Sequence, residues 1–254
     1  MQVKDRIVVV TGAASGIGLA LARLFHSEGA SLVVCADYNG DGVRQAAAEV
    51  NGLAFEVDVS KEADIENLIT TVEAEHGPID LFCSNAGIGI AGGVEVDNES
   101  WQRIWDINLM AHVYAARHLV PRMLARGGGY LLNTASAAGL LSQIGSAPYA
   151  VTKHAAVSLA EWLAITHGEQ GLKVSVLCPQ AVRTAMTAGQ EDAVAAVDGM
   201  MEPEEAAAAC LRTIESEEFL VLPHPEVLKY MRRKTENYDR WINGMQRLNN
   251  QYTN

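Results

Sequence analysis

Short apolar runs alternate with helical patterns along almost the whole chain, and this alternation limits the possible folds more than any other feature. The run at residues 7–10, Ile-Val-Val-Val, is typical of a strand that is buried on both faces. Strands alternating with helices predict a parallel, doubly wound α/β sheet with right-handed crossovers. No linker, repeat or low-complexity stretch interrupts the sequence, so we expect one domain over residues 1–254. The predicted strands are residues 7–10, 31–36, 53–57, 79–83, 130–134, 173–178 and 219–222.

Helical patterns occupy the segments between these runs. Gly29 ends the first of them, as glycine commonly does. The pattern at 98–125 is unusually long and has a candidate break near Asn108, and the spacing of apolar residues predicts a C-terminal helical extension at 225–248. The other predicted helices are residues 43–50, 63–75 and 203–215, together with one that contains Tyr149.

Composition narrows the functional classes. The chain is 49% hydrophobic and 20% charged, which allows a large core. The formal net charge is -12 and no basic patch stands out, so we do not expect nucleic acid as a partner. The seven histidines form no metal-binding cluster such as H-E-x-x-H, and we predict no catalytic metal.

The cysteines and the start of the chain suggest a compartment. The cysteines are far apart and include no C-x-x-C pair, so we interpret them as buried apolar residues in a reducing environment. The polar residues 1–6 and the short apolar run after them resemble neither a signal peptide nor a membrane span. We therefore expect a cytoplasmic protein that does not enter membranes. The four cysteines are Cys35, Cys83, Cys178 and Cys210.

A glycine-rich turn joins the first predicted strand to its helix. Gly12, Gly16 and Gly18 follow the spacing G-x-x-x-G-x-G. Glycines allow a tight turn and let the backbone approach a pyrophosphate at the helix N-terminus. The alternative is a tight turn without a ligand.

Two carboxylates follow the next two strands. Asp37 lies 19 residues after Gly18, where a carboxylate can accept both ribose hydroxyls of an adenosine and repels a 2′-phosphate. Because neither Ser15 nor Tyr38 is basic, this position predicts NAD rather than NADP; the alternative is an Asp that caps a turn. Asp58 could bind an adenine amino group or equally begin the next helix.

Tyr149 and Lys153 are spaced i, i+4 at the start of a predicted helix, which places the phenol and the ammonium on one face. Tyrosine has an ordinary pKa of about 10. To act as an acid or base near neutral pH, its phenolate must be stabilised by about 4 kcal/mol. A cation about 4 Å away supplies about that much near a protein surface. Alone, such a pair is more often two unrelated side chains.

Two further polar residues are candidates for the same site. Ser136 follows the fifth strand, where it could cap a turn or bind a carbonyl or alkoxide oxygen near Tyr149. Asn108 lies within a helical region, where its amide could bend the helix or hold a water molecule.

Together, these motifs resemble the short-chain dehydrogenase/reductase family over about residues 5–185. They are Thr-Gly-x-x-x-Gly-Ile-Gly at 11–18, Asp58-Val59, Asn85-Ala86-Gly87, Asn108, Ser136, Tyr149-x-x-x-Lys153 and the segment 179–184. The resemblance implies a seven-stranded Rossmann sheet, an NAD cofactor and the catalytic tetrad Asn108, Ser136, Tyr149 and Lys153. It also implies that the cofactor is lined by Gly12, Ser15, Ile17, Gly18, Asp37, Asp58, Val59, Asn85, Gly87, Tyr149, Lys153, Val182 and Thr184.

The sequence departs from the family pattern at two positions. Ser84 replaces the first Asn of the usual Asn-Asn-Ala-Gly, which is a mild change. Gln180 replaces the Gly of the usual Pro-Gly, a position that faces the nicotinamide and substrate in the family. We expect Gln180 to make the pocket narrower or more polar.

The expected chemistry is the oxidation of a secondary alcohol, or its reverse. Tyr149 would take the hydroxyl proton, Lys153 would hold the ribose and lower the pKa of Tyr149, and Ser136 would position the substrate oxygen. The resemblance implies that Asn108 would hold a water molecule that links Lys153 to solvent. Two alternatives remain: a dinucleotide-binding regulatory protein, and a non-redox enzyme on the same scaffold.

Apolar segments suggest the substrate and the assembly. The segment 184–201, where the family carries a lid, is rich in Ala, Val and Met, with Glu191, Asp192 and Asp198 as its only charged residues. The other expected wall, 137–144, is also apolar, so a bulky hydrophobic alcohol or ketone is expected, the alternative being that these residues pack against the core. The Tyr149 helix is apolar almost throughout, which favours a homotetramer over full burial in a monomer.

Overall fold

The structure is a computed structural model, and it describes residues 1–189 and 193–252. Its centre is a parallel sheet of seven strands in the order β3-β2-β1-β4-β5-β6-β7. The predicted doubly wound α/β fold is therefore confirmed, with strand ends shifted by one or two residues. The strands are β1 (Ile7–Thr11), β2 (Leu32–Asp37), β3 (Leu53–Glu56), β4 (Leu81–Ser84), β5 (Gly129–Thr134), β6 (Leu172–Leu177) and β7 (Leu220–Val221).

Helices cover both faces of the sheet, and each face has its own hydrophobic core. Side chains of α3, α5 and α6 pack on one face, and side chains of α1, α2 and α7 pack on the other. Fully buried side chains such as Leu119 and Phe25 contribute about 1.5–3 kcal/mol each. The helices are α1 (Gly16–Ser27), α2 (Gly40–Glu49), α3 (Glu62–Glu75), α4 (Asn98–Trp105), α5 (Ala111–Ala125), α6 (Ala147–His167), α7 (Pro203–Ser216), α8 (Glu226–Glu236) and α9 (Tyr238–Tyr252).

The strand order reverses beside β1, which pairs with β2 on one side and with β4 on the other. In an open parallel sheet, a crevice forms at such a point, beyond the carboxyl ends of the strands. The glycine turn after β1 and the segment after β4 both lie there. A ligand site is therefore expected at this edge of the sheet.

The long helical segment at 98–125 is interrupted at Asn108, as the sequence suggested. Residues Asp106–Met110 form a π-helical turn between α4 and α5. Asn108 is buried, its Oδ1 accepts the backbone N–H of Ile88, and its Nδ2 donates to the Ile88 carbonyl. The wider turn thus allows a polar side chain to bond the loop after β4.

The predicted C-terminal helical extension at 225–248 consists of two helices, α8 and α9, rather than one. Asn237 has an extended backbone between α8 and α9, and its side chain accepts the N–H of Arg240. Asparagine is a preferred residue for beginning a helix in this way, so a new helix starts here. The apolar periodicity continues across the break, which explains why the pattern alone suggested a single element.

Candidate active site

The glycine turn between β1 and α1 allows a ligand to approach the backbone closely. Gly12 and Gly16 have φ angles of 68° and 54°, which glycine adopts at little cost. A Cβ on Gly18 would run into the carbonyl oxygen of Gly12. Ser15 is the last extended residue before α1, so the free N–H groups of the first helical turn, including that of Ile17, lie at the crevice. These features fit a dinucleotide pyrophosphate better than a tight turn without a ligand.

Thr11, the last residue of β1, ties the glycine turn to the loop after β4, a role that the sequence did not predict. Its Oγ1 accepts the N–H groups of Asn85 and Ala86, at 2.9 and 3.1 Å. The Asn85 amide in turn donates to the Thr11 carbonyl and accepts from Thr134 Oγ1. Asn85 therefore joins the ends of β1, β4 and β5, and its lining of a cofactor stays a prediction. A polar residue at the end of a buried strand was the only signal for Thr11.

Asp37 lies at the end of β2, beside the glycine turn. One carboxylate oxygen accepts the N–H of Ala14 at 3.0 Å and the other accepts that of Asn39 at 2.9 Å. The carboxylate thus caps turns, yet it remains half-exposed at the crevice with lone pairs to spare. The turn-capping alternative and the ribose-binding prediction are compatible at this position.

Asp58 makes the contacts expected of a residue that precedes a helix. Its Oδ1 accepts the N–H and hydroxyl of Ser60, and its Oδ2 lies 3.3 Å from Lys61 Nζ. Partial burial opposes the ionised form, but these contacts outweigh it and lower the pKa of Asp58. Val59 is buried in the core. Contact of Asp58 with adenine and of Val59 with the cofactor stays a prediction.

Tyr149 and Lys153 lie on the first turns of α6, which begins with Pro148 in its first turn. Lys153 is only 3% exposed, and its Nζ lies 5.7 Å from the centre of the Tyr149 ring. The same Nζ donates to the carbonyl of Thr134 at 2.9 Å. The pair predicted from spacing is therefore brought together and fixed against the end of β5.

Ser136 and Gly87 complete the cluster. Ser136 lies close enough to Tyr149 to favour the phenolate, and its Oγ donates to the Pro179 carbonyl at 3.4 Å and accepts the N–H of Ala138. A Cβ on Gly87 would lie 3.3 Å from Asn108 Oδ1 and 3.4 Å from Lys153 Nζ. All four members of the predicted tetrad thus converge, although Asn108 bonds Ile88 and Thr152 and its water-holding role stays a prediction.

Burial changes the pKa of both members of the pair. Burial lowers the pKa of Lys153 to about 8, and the neighbouring Cys178 opposes that change only weakly. Burial also raises the pKa of Tyr149, and the nearby Ser136 hydroxyl only partly offsets this. The net pKa of the phenol is therefore raised in the free chain, and the expected lowering by Lys153 stays a prediction.

The segment after β6 closes the crevice. Val182 is buried and pairs with Met201 in an isolated bridge, so the two ends of segment 184–201 are held together. Thr184 packs against the glycine turn, since a Cβ on Gly16 would lie 2.9 Å from its methyl group. Glu191 and Asp192, two of the charged residues of this segment, lie outside the described residues.

Ser84 and Gln180 are the two residues that depart from the family pattern. Ser84 is buried at the end of β4, and Gln180 bonds His224 and Asp198. The Gln180 N–H donates to His224 Nδ1 at 3.2 Å, and its Nε2 donates to Asp198 Oδ2 at 2.9 Å. His224 must then carry its proton on Nε2, which is buried without a partner among the described residues. Burial lowers the pKa of His224, which favours the neutral ring.

His112 is a second buried histidine close to the site. It is 2% exposed, and neither ring nitrogen has a partner in the described part of the chain. Burial, with a smaller contribution from the Lys153 charge, lowers its pKa to about 3. Within residues 1–189 and 193–252, no group of three His, Cys, Asp or Glu side chains is placed to hold a metal ion.

Comparisons with known proteins agree with this geometry. A family model described as short chain dehydrogenase matches residues 6–195. Meso-2,3-butanediol dehydrogenase of Serratia marcescens is 35% identical over 219 residues, covering 82% of this chain and 86% of the relative. The 1-deoxy-11-beta-hydroxypentalenate dehydrogenase of Streptomyces exfoliatus is 41% identical over 198 residues, covering 74% and 72%.

A solved structure shows the same fold over nearly the full length. It is a short chain dehydrogenase/reductase from Burkholderia phymatum in complex with NAD, with a TM-score of 0.87 and 26% identity. The match covers 94% of this chain and 96% of that one. The chain therefore belongs to the short-chain dehydrogenase family and is an oxidoreductase that uses a nicotinamide cofactor, NAD or NADP.

Proposed function

We propose that the protein oxidises a bulky, apolar secondary alcohol with NAD, or reduces the corresponding ketone. The observation that carries the proposal is the convergence of Tyr149, Lys153 and Ser136 beside the glycine turn. Oxidation of an alcohol requires a base for the hydroxyl proton and an acceptor for the hydride. Bound NAD supplies the hydride acceptor and a positively charged ring, which favours the phenolate form of a neighbouring tyrosine.

The protein residues divide the remaining work. Tyr149 takes the hydroxyl proton, and Ser136 donates a hydrogen bond to the substrate oxygen as negative charge develops on it. The Lys153 ammonium holds the ribose and lies close enough to the phenol to stabilise a phenolate. Asn108 fixes the loop around Gly87 against these groups and, as proposed from the family, holds a water molecule.

The choice of NAD over NADP rests on Asp37. Its half-exposed carboxylate beside the turn residue Ala14 would accept ribose hydroxyls and repel a 2′-phosphate. Asp37→Asn is expected to improve kcat/KM with NADP relative to NAD by about 10- to 100-fold, because it removes the charge yet keeps an oxygen that accepts a backbone N–H. Steady-state rates with both cofactors measure this ratio.

A matched control for Asp37 is Asp41→Asn. Asp41 is an exposed acid on α2 that pairs with Arg44, so its loss is expected to leave the cofactor ratio unchanged. Equal efficiency of the unaltered protein with NAD and NADP would contradict the proposed preference.

The substrate class rests on the apolar segment 184–201. Met186 and Val197 are 44% and 55% exposed, so apolar side chains of this segment are partly accessible to solvent. Apolar, methionine-containing surfaces adapt to bulky hydrophobic ligands. Leu140 and Leu141, which follow the buried turn Ala137–Gly139 and are half-exposed, would form the other apolar wall.

A small vicinal diol is the second candidate, favoured by the name of the Serratia relative. Values of kcat/KM for alicyclic, aromatic and steroid-like alcohols, butanediols, polyols and acyl-CoA thioesters decide between the classes. A polyol or an acyl-CoA as the best substrate would end the proposal. Absence of turnover with every alcohol, with NAD still bound, would favour a regulatory dinucleotide-binding protein.

A homotetramer is proposed from the exposed face of α6. Val151, Trp162 and Ile165 are 47%, 57% and 83% exposed and lie in one stripe along this helix. Uncovered apolar stripes of this kind mark protein contacts.

The four cysteines are free and buried, which supports the proposed cytoplasmic, reducing environment. Within the described chain, no helix has both the length and the apolar character to cross a membrane.

Ile165→Asp is expected to dissociate the assembly, because it places a charge in the proposed contact. Light scattering of the variant should give a mass close to the 27.3 kDa of one chain, whereas the unaltered protein should give about four times that. Val94→Asp is the control, since Val94 is 92% exposed in a loop before α4. A single-chain mass for the unaltered protein would refute the tetramer.

A further inference from the structure

Helix α8 contacts both walls of the proposed substrate cleft. It lies beyond residue 195, where the match to the family model ends. Tyr230 and Lys234 are spaced i, i+4, so they project from the same face of this helix. Each is only half-exposed, and each bonds a different wall.

Tyr230 reaches the wall formed by segment 184–201. Its hydroxyl donates to Asp198 Oδ1 at 3.0 Å. The other carboxylate oxygen of Asp198 accepts Gln180 Nε2 at 2.9 Å, so one carboxylate bridges α8 and the residue beside Pro179. The Pro179 carbonyl accepts a bond from Ser136, which places this bridge next to the catalytic cluster. Gln180, the departure from the family pattern, thus has a partner that a glycine would lack.

Lys234 reaches the facing wall. Its Nζ donates to the carbonyls of Leu140 and Leu141, at 2.7 and 3.1 Å. These carbonyls end the short turn Ala137–Gly139 that follows Ser136. A cation is well placed there, because the last carbonyls of a helical turn lack partners and carry partial negative charge.

We propose that Tyr230 and Lys234 are positioning residues that set the width of the substrate cleft by tying its two walls to α8. This inference rests on the proposed function, since it names the elements that shape that site. Loss of either tie lets one wall move away, so the substrate binds less tightly. The catalytic groups themselves are fixed by β5 and α6, so turnover of bound substrate should change little.

The test combines hydrogen exchange with kinetics on the full chain. Tyr230→Phe should speed amide exchange in segment 184–201 by about 2- to 5-fold, the worth of one exposed hydrogen bond. Lys234→Met should instead speed exchange in segment 137–144 by about 3- to 10-fold, because a charged donor with two acceptors is lost. Each change should raise KM for the best alcohol by about 3- to 10-fold, with kcat and NAD affinity within about twofold.

The chain offers matched controls. Tyr238→Phe removes an exposed hydroxyl and keeps the ring, whose centre lies 5.6 Å from Lys234 Nζ, and Lys229→Met removes an exposed ammonium. Neither of the lost groups bonds either wall in the described structure. Lys234→Arg should restore KM, because a guanidinium can still donate to both carbonyls. Asp198→Ala should raise KM, and adding Tyr230→Phe to it should do no further harm, since the two side chains share one bond.

The outcomes separate the two proposals. Unchanged exchange in both walls, or equal losses in kcat and NAD affinity, would overturn the role of α8. Faster exchange without a change in KM would also overturn it as a determinant of substrate binding. If the unaltered protein oxidises no alcohol, the proposed function fails, while the exchange data still show whether α8 holds the walls.

Discussion

Tyr149→Phe is expected to lower kcat by about a thousand-fold or more, because the phenol is the proposed acid and base at the site. The dissociation constant for NAD should stay within about threefold, since the change removes one hydroxyl and leaves the ring in place on α6. Steady-state rates and fluorescence titration with NAD measure the two quantities. A variant that retains the rate of the unaltered protein would exclude Tyr149 as the acid–base group.

Tyr130→Phe is the matched control for this loss. Tyr130 is a buried tyrosine on β5 whose hydroxyl lies 2.6 Å from Ser175 Oγ, away from the cluster. Its loss is expected to reduce the free energy of unfolding by about 1 kcal/mol and to leave kcat unchanged. The pair of variants thus separates loss of a catalytic hydroxyl from loss of a structural one.

Lys153→Met is expected to abolish turnover and at the same time to stabilise the free protein. Burial lowers the pKa of Lys153 from 10.5 to about 8, and each pKa unit corresponds to about 1.4 kcal/mol. The buried charge therefore costs on the order of 3 kcal/mol at pH 7. Losing the bond to the Thr134 carbonyl offsets part of this, so a net gain of about 1–2 kcal/mol is expected. Chemical denaturation at pH 7 measures the change.

The effect of the Lys153 charge on the free energy of unfolding should depend on pH. Because the folded pKa lies below the unfolded one, the unfolded chain binds more protons between about pH 8 and pH 10.5. The contribution of Lys153 to the free energy of unfolding therefore rises with pH across that window. The extra stability of Lys153→Met should disappear near pH 10.5. Lys229→Met, at an exposed site, should alter neither stability nor turnover. A Lys153→Met variant that is less stable than the unaltered protein at pH 7 would contradict this account.

The fold could be predicted because its signals are local. Runs such as Ile7–Thr11 and the glycine turn after it are contiguous, and periodicity needs no knowledge of distant residues. The same locality explains why the break at Asn237 was not predicted, since an apolar pattern continues across a capping residue that begins a new helix. The order of motifs along the chain was enough to indicate which side chains meet at the strand ends.

Contacts between distant residues could not be predicted in this way. The bridge from Gln180 through Asp198 to Tyr230 joins positions 18 and 32 residues apart, and Thr11 bonds a loop 74 residues away. The direction of the Tyr149 pKa depends on how completely the folded chain excludes water, which no spacing reveals. The use of the Asp58 carboxylate by Ser60 and Lys61 likewise depends on the turn they form.

The central claim is that Tyr149, Lys153 and Ser136 carry out NAD-linked oxidation of a secondary alcohol. The most direct test is the formation of reduced nicotinamide, followed by its absorbance, when the unaltered protein and Tyr149→Phe are incubated with NAD and a panel of alicyclic and aromatic secondary alcohols. The account predicts turnover by the unaltered protein and almost none by the variant, although both bind NAD. Equal turnover by the two, or none by the unaltered protein with NAD bound, would contradict it.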